Sequence, residues 1–189
     1  MSVLTSPIPI TPADVERASE RDGKHYELVD GELKEKVVGT KASLIASLIC
    51  ARLLAAFYPR IGFAVAEAMI YCFKKPNHGR KPDVVYVRLE RLNDRSVPEG
   101  DLHLVPDLAV EVLSPGNSGI EVEEKLGEYQ EAGVPLIWIV NPGPRTIRVY
   151  RSNATVQLFH ADDVIENEPL LPGFVLKISD VFPEVPPAA

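Results

Sequence analysis

The stretch PDLAVEVLSP, residues 106–115, decides how this chain is read. From Leu108 to Leu113 it is apolar at every position but one, the pattern of a strand covered on both faces rather than one alternating between core and water. The exception is Glu111. Burying an unpaired carboxylate costs several kcal/mol or forces it to take up a proton, so something must offset that charge. By two-residue alternation Asp107, Ala109, Glu111 and Leu113 share one face, while Leu108, Val110 and Val112 share the other. One face therefore carries two acids. A buried ion pair with an arginine would satisfy Glu111, although such pairs rarely improve on apolar packing; a role in binding a cation would satisfy it equally.

Working outward, the Ser114–Gly119 loop leads into a helix from Ile120 to about Ala132, which Gly133-Val134-Pro135 stops before a second buried strand, LIWIV (136–140). Strand, helix, strand places a crossover helix on a mixed sheet with parallel neighbours. Upstream, PDVVYV (82–87) is a short strand with Asp83 at its mouth, a position where Asp after Pro is also an ordinary strand-start residue. FAVAEAMIYCF (63–73) reads as another well-buried strand, and Lys74–Lys81 as a basic loop. Leu44, Ile45, Leu48, Ile49, Leu53 and Leu54 recur at helical spacing, which predicts the main core helix from Thr40 to Phe57, ended by Pro59 and Gly62. HYELVDGELKEKVV (25–38) is a hairpin about Asp30-Gly31, and Thr11-Pro12 caps a short helix to about Arg21. TIRVY (146–150) and TVQLF (155–159) form a further hairpin, and LLPGFVLKISDVF (170–182) holds one last strand and a turn. The expectation is a single α/β domain over residues 11–182, between an N-terminal arm (1–10) and a Pro-rich tail (183–189).

Composition narrows the function. With 189 residues and 46% hydrophobic content the chain can bury a core. Its longest strongly apolar stretch, Leu44 to Phe57, is interrupted by Ser47 and Arg52 and is too short to span a bilayer. The start, MSVLTSPIPITPADVE, has neither a basic n-region nor an apolar h-region, and Cys50 and Cys72 fall in apolar segments without metal-ligand spacing. Together these predict a cytoplasmic protein with no membrane partner and reduced core cysteines. His25, His78, His103 and His160 are scattered, which leaves no zinc cluster. Ser114 lacks a Gly-x-Ser-x-Gly elbow, and no phosphate-cradling glycine loop occurs. Twenty Lys and Arg against 27 Asp and Glu give a net charge of −7, which argues against gripping nucleic acid over a broad surface. A carboxylate site would itself carry negative charge until a cation binds.

Lys125 is the remaining anomaly. Val122, Leu126 and Tyr129 form the packing stripe of its helix, and Lys125 sits roughly 60° from Val122, at the margin. Geometry allows either a surface pair with Glu121 at i,i+4 or a reach toward the sheet edge. Two or three carboxylates near strand ends plus a lysine suit a hard divalent cation such as Mg²⁺ or Mn²⁺ and the hydrolysis of a phosphodiester.

The motifs YELVDGEL (26–33), RKPDVVYV (80–87), PDLAVEVLSP (106–115), EKLGEYQEAGVPLIWIVNP (124–142) and LLPGF (170–174) together resemble the Uma-type restriction endonucleases of the PD-(D/E)xK nuclease superfamily, over roughly Thr11 to Phe182. The resemblance implies a restriction-endonuclease-like core, a mixed β-sheet flanked by helices with additional β-hairpins. It implies Asp83 and Glu111 as metal ligands for Mg²⁺ (or Mn²⁺), with DNA as substrate. The lysine of D/E-x-K would fall at position 113, where this chain has Leu113; the resemblance selects Lys125, on the following helix, in its place. Glu27 matches an assisting N-terminal acid, or is an ordinary exposed strand acid. Where relatives often carry a histidine near the start of the core helix, this chain has Lys41-Ala42-Ser43. Arg80, Lys81, Lys74 and Lys75 form a local basic cluster that could meet a phosphate backbone, or a solvated loop. The function expected is a metal-dependent DNA endonuclease acting as a two-fold homodimer. A scaffold that keeps the fold and binds nucleic acid or protein without cutting is the alternative, and a hydrolase of small phosphorylated substrates a weaker third.

Overall fold

The computed structural model describes residues 10–182, so the tail and all but the last residue of the arm lie outside the described residues. Three helices, α1 (Pro12–Asp22), α2 (Thr40–Phe57) and α3 (Gly119–Ala132), accompany ten strands: β1 (Tyr26–Val29), β2 (Glu32–Glu35), β3 (Gly62–Ala66), β4 (Val84–Arg88), β5 (Leu108–Val112), β6 (Leu136–Asn141), β7 (Thr146–Arg151), β8 (Val156–Phe159), β9 (Val164–Ile165) and β10 (Leu176–Lys177). Six of them form one mixed sheet in the order β3-β4-β5-β6-β7-β8. β5 and β6 pair in parallel and the other neighbours are antiparallel. The crossover between β5 and β6 is α3, as the strand-helix-strand order predicts.

The two sheet faces bury separate cores. Val84 and Tyr86 of β4, Leu108, Val110 and Val112 of β5, and Leu136, Trp138 and Val140 of β6 meet Ile45, Ile49, Leu53 and Phe57 of α2. Val85, Val87, Ala109, Ile137 and Ile139 point the other way, toward Leu126 and Tyr129 of α3. Glu111 belongs to this second face, which the period of two requires. α2 runs 18 residues and is long and apolar enough to cross a membrane on length and composition alone. That is more than the Leu44–Phe57 stretch suggests, but seven of its residues are buried in the domain, which makes it a core helix. Its stripe is rotated from the expected one: Leu44 is exposed, and Ala42 and Ala46 are buried instead.

The segment 63–73 corrects a second expectation. β3 ends at Ala66, Glu67 turns the chain with φ 56, and Ile70 makes only isolated bridges to Arg80 and Leu102. Apolar content on both faces reported burial here, not strand geometry, for Met69 and Ile70 are buried without belonging to a ladder. The β1–β2 hairpin stands apart from the sheet and is tied by reciprocal backbone hydrogen bonds between Leu28 and Gly79 to the segment that leads into β4. Only glycine fits at 79: a Cβ there would lie 2.4 Å from the Tyr71 ring. This contact brings the hairpin against the chain just before Asp83.

Candidate active site

The register of β4 on β5 pairs Val84 with Val110 and Val85 with Ala109. Continued by one residue, it sets Asp83 across from Glu111. The Val112 amide donates to Asp83 Oδ2 at 2.6 Å, which fixes the carboxylate at the open end of the two strands. The acids expected at positions 83 and 111 are thus neighbours. Both are buried, and burial pushes both carboxyls above their ordinary range; Lys36 partly opposes this at Asp83 and Lys125 at Glu111.

α3 supplies the partners of Glu111. Ser118 caps its N-terminus by accepting from the Glu121 amide, and Lys125 and Tyr129 follow four residues apart on one side. Lys125 Nζ donates to Glu27 Oε1 at 3.0 Å and to Glu111 Oε2 at 3.4 Å, and the Tyr129 hydroxyl donates to Glu111 Oε1 at 2.6 Å. The surface alternative for Lys125 is thereby excluded, since Glu121 pairs instead with Lys34 at 3.4 Å. Glu27 is no exposed strand acid either. Its other oxygen accepts from Arg80 at 2.9 Å and Oε1 also accepts from the Lys81 amide at 3.1 Å. Burial pushes Glu27 up, but Lys125, Arg80 and the Lys81 amide together pull it further down, so it stays below the ordinary carboxylate range.

One expectation needs correction. Arg80 is 1% exposed and held by Glu27 and, bidentately, by Glu128, so it cannot meet a phosphate backbone from a solvated loop. Asp107 shares a face with Glu111 but immediately precedes β5, at its other end, where Arg88 and Arg91 hold it at 2.9 and 3.2 Å. Alternation gave the face correctly and could not give the distance along it.

The residue that sequence reasoning missed is Lys36. Its ammonium donates to Asp83 Oδ1 at 2.7 Å, to the Lys81 carbonyl at 2.5 Å and to both Glu67 oxygens at 3.2 Å. Burial lowers its pKa, and Glu111, Asp83 and Glu67 raise it by more. The only signal in the sequence was a lysine just past a hairpin strand, a position normally solvated. Tyr129 reads from the sequence as packing alone, and its hydroxyl is also the short donor to Glu111.

Glu27, Lys36, Asp83, Glu111, Asn117 and Lys125 line a cleft of about 50 Å³. A larger cavity of about 470 Å³ beside Tyr150 and Gln130 holds none of these acids. Asp83 and Glu111 are hard oxygen donors whose charged forms burial disfavours, and a divalent cation would offset that cost. Among the described residues no group of three or more His, Cys, Asp or Glu is placed to hold a metal. A Mg²⁺ held by the two carboxylates would complete its shell with water and substrate oxygens, as this ion commonly does.

The family model described as "Uma2: Putative restriction endonuclease" matches residues 12–179. Among solved structures, one titled a putative nuclease belonging to DUF820, from Anabaena variabilis, superposes with a TM-score of 0.72 at 23% identity, covering 85% of this chain and 90% of that one. At that identity the likeness shows the fold alone. No curated protein matches.

Proposed function

The chain belongs to the Uma2 family, whose model is described as "Putative restriction endonuclease", and from that membership and the cleft geometry we propose that it is a divalent-cation-dependent endonuclease hydrolysing DNA phosphodiester bonds. The observation that carries the reading is the placement of Asp83 across from Glu111, with Lys125 reaching Glu111 from α3. Asp83 and Glu111 hold Mg²⁺ or Mn²⁺, which supplies neutralisation of charge on the phosphate and a more acidic water. Lys125 positions the attacking water, and Tyr129 and the Val112 amide keep the two carboxylates in place. Glu27 holds Lys125 in turn. Charge supports the same reading: in this network Glu27, Glu67, Asp83, Glu111 and Glu128 face Lys36, Arg80 and Lys125, leaving two negative charges that a divalent ion would balance. Cutting both strands calls for two such sites, and a two-fold homodimer provides them.

Plasmid cleavage in Mg²⁺ or Mn²⁺ tests the proposal, with Asp83→Ala, Glu111→Ala and Lys125→Ala alongside. The expected result is nicking or linearisation by the unaltered protein and a loss of about a hundredfold or more in each variant. Equal cleavage by all three variants overturns the site assignment.

A second reading, a non-cutting scaffold that binds nucleic acid or protein, is favoured by one observation: both oxygens of Asp83 and both of Glu111 already accept from groups of the protein itself. No cleavage of plasmid, single-stranded DNA or RNA in either metal selects it.

A further inference from the structure

Lys36 Nζ occupies the side of Asp83 that the Val112 amide leaves open. What it touches is a set of hard oxygens: a buried carboxylate, the Lys81 carbonyl and the half-buried Glu67 carboxylate. These are the donors that Mg²⁺ and Mn²⁺ take. An ammonium and a divalent cation against the same carboxylate oxygen repel strongly wherever water is scarce. One must leave for the other to enter.

We propose that Lys36 is the resident counter-cation of Asp83 and that a divalent cation enters the site only by displacing the Lys36 ammonium, so that this lysine sets the metal affinity of the cleft. The inference rests on the reading that Asp83 and Glu111 hold the metal. Three features make Lys36 the movable partner. It follows β2, whose Glu32, Lys34 and Glu35 are exposed, and the next residue, Val37, is 75% exposed. The Lys36 amide donates to the His25 carbonyl at 2.8 Å, which anchors its backbone, and no regular secondary structure holds residues 37–39 before α2 begins. Its four-carbon stem lets the ammonium swing with little backbone movement, and Glu67, already in contact, keeps a counter-charge for it toward solvent. Lys125 has no such freedom, being braced on a helix between Glu27 and Glu111. A metal that must first expel Lys36 shows an apparent dissociation constant raised by the rarity of the vacated state.

Calorimetric titration of Mn²⁺ into the full chain and into Lys36→Met and Lys36→Gln, near neutral pH, reads this directly. The variants bind about tenfold or more tightly than the unaltered protein. Because Lys36→Met strips a buried carboxylate of its partner and could fail to fold, a second measurement uses the unaltered chain: reductive methylation of lysines with and without saturating Mn²⁺, followed by peptide mass spectrometry. Lys36 is slow to react without the metal and reacts severalfold faster with it, while Lys125 does not change. Equal or weaker binding in folded variants, or unchanged Lys36 labelling in a protein that binds Mn²⁺, overturns the displacement and leaves the metal reading standing. Absence of Mn²⁺ binding in every protein overturns the metal reading, and the displacement with it.

Discussion

Lys125 Nζ lies 3.0 Å from Glu27 Oε1 across 98 positions of sequence. That contact makes Glu27 and Glu111 two ends of one bridge, because the same ammonium also reaches Glu111. Neither carboxylate has its charge answered locally. The bridge spans the β1–β2 hairpin, the central sheet and α3, so the geometry of the cleft depends on all three being docked.

Replacing Lys125 by Met leaves two buried carboxylates sharing a lost partner. Breaking such a pair costs about 3–5 kcal/mol, since a charge remains buried without compensation. Urea denaturation near neutral pH measures the loss. It shrinks in acid, where Glu111 takes up a proton and no longer needs the ammonium.

The opposite pKa shifts of Glu111 and Glu27 give opposite pH dependences. Glu111 is raised above 4.5 by burial, so its ionised form costs stability near neutrality, and that cost is relieved as pH falls through the raised value toward 4.5. Glu27 is lowered, so it contributes stability above 4.5 that is lost as pH falls through its lowered value. In urea titrations at a series of pH values, the unaltered protein therefore gains on Glu111→Gln between neutrality and about pH 5. Its advantage over Glu27→Gln holds through that interval and falls away only below it. Parallel curves for the two comparisons contradict the assignment.

Gly79→Ala tests the docking of the hairpin. Its Cβ would meet the Tyr71 ring at 2.4 and 2.6 Å and the Ile70 carbonyl at 3.2 Å. Forcing a methyl group into such a space costs about 1–3 kcal/mol. Thermal unfolding measures that loss, and amide exchange of Leu28, whose N–H donates to the Gly79 carbonyl, quickens more than exchange in β6.

Both cysteines are free, and burial pushes the Cys72 thiol up to about 11 and raises Cys50 as well. At pH 8 only about one Cys72 in a thousand is the reactive thiolate. Iodoacetamide therefore labels neither residue appreciably in the native protein and both in urea; ready native labelling of Cys72 refutes the burial argument.

Local chemistry made much of the molecule legible. An acid inside LAVEVL, an aspartate at the mouth of PDVVYV and a crossover helix between two apolar runs are statements about period and composition, and the α/β core follows from them. So does the face on which Glu111 lies. What periodicity leaves open is which non-local groups meet. Lys125 at a stripe margin could turn to Glu121 or inward, and the docked hairpin decided it by bringing Glu27 to meet the ammonium. Arg80 reads as a solvated basic residue until Glu27 and Glu128 enclose it. Lys36 carried no sequence signal, since a lysine after a hairpin strand is ordinarily in water and only the approach of Asp83, Glu67 and the Lys81 carbonyl buries it. Spacing of two or 3.6 residues tells a side chain which way to face. Strand register and the docking of distant elements tell it what it finds there, and a buried charge is settled by its partner.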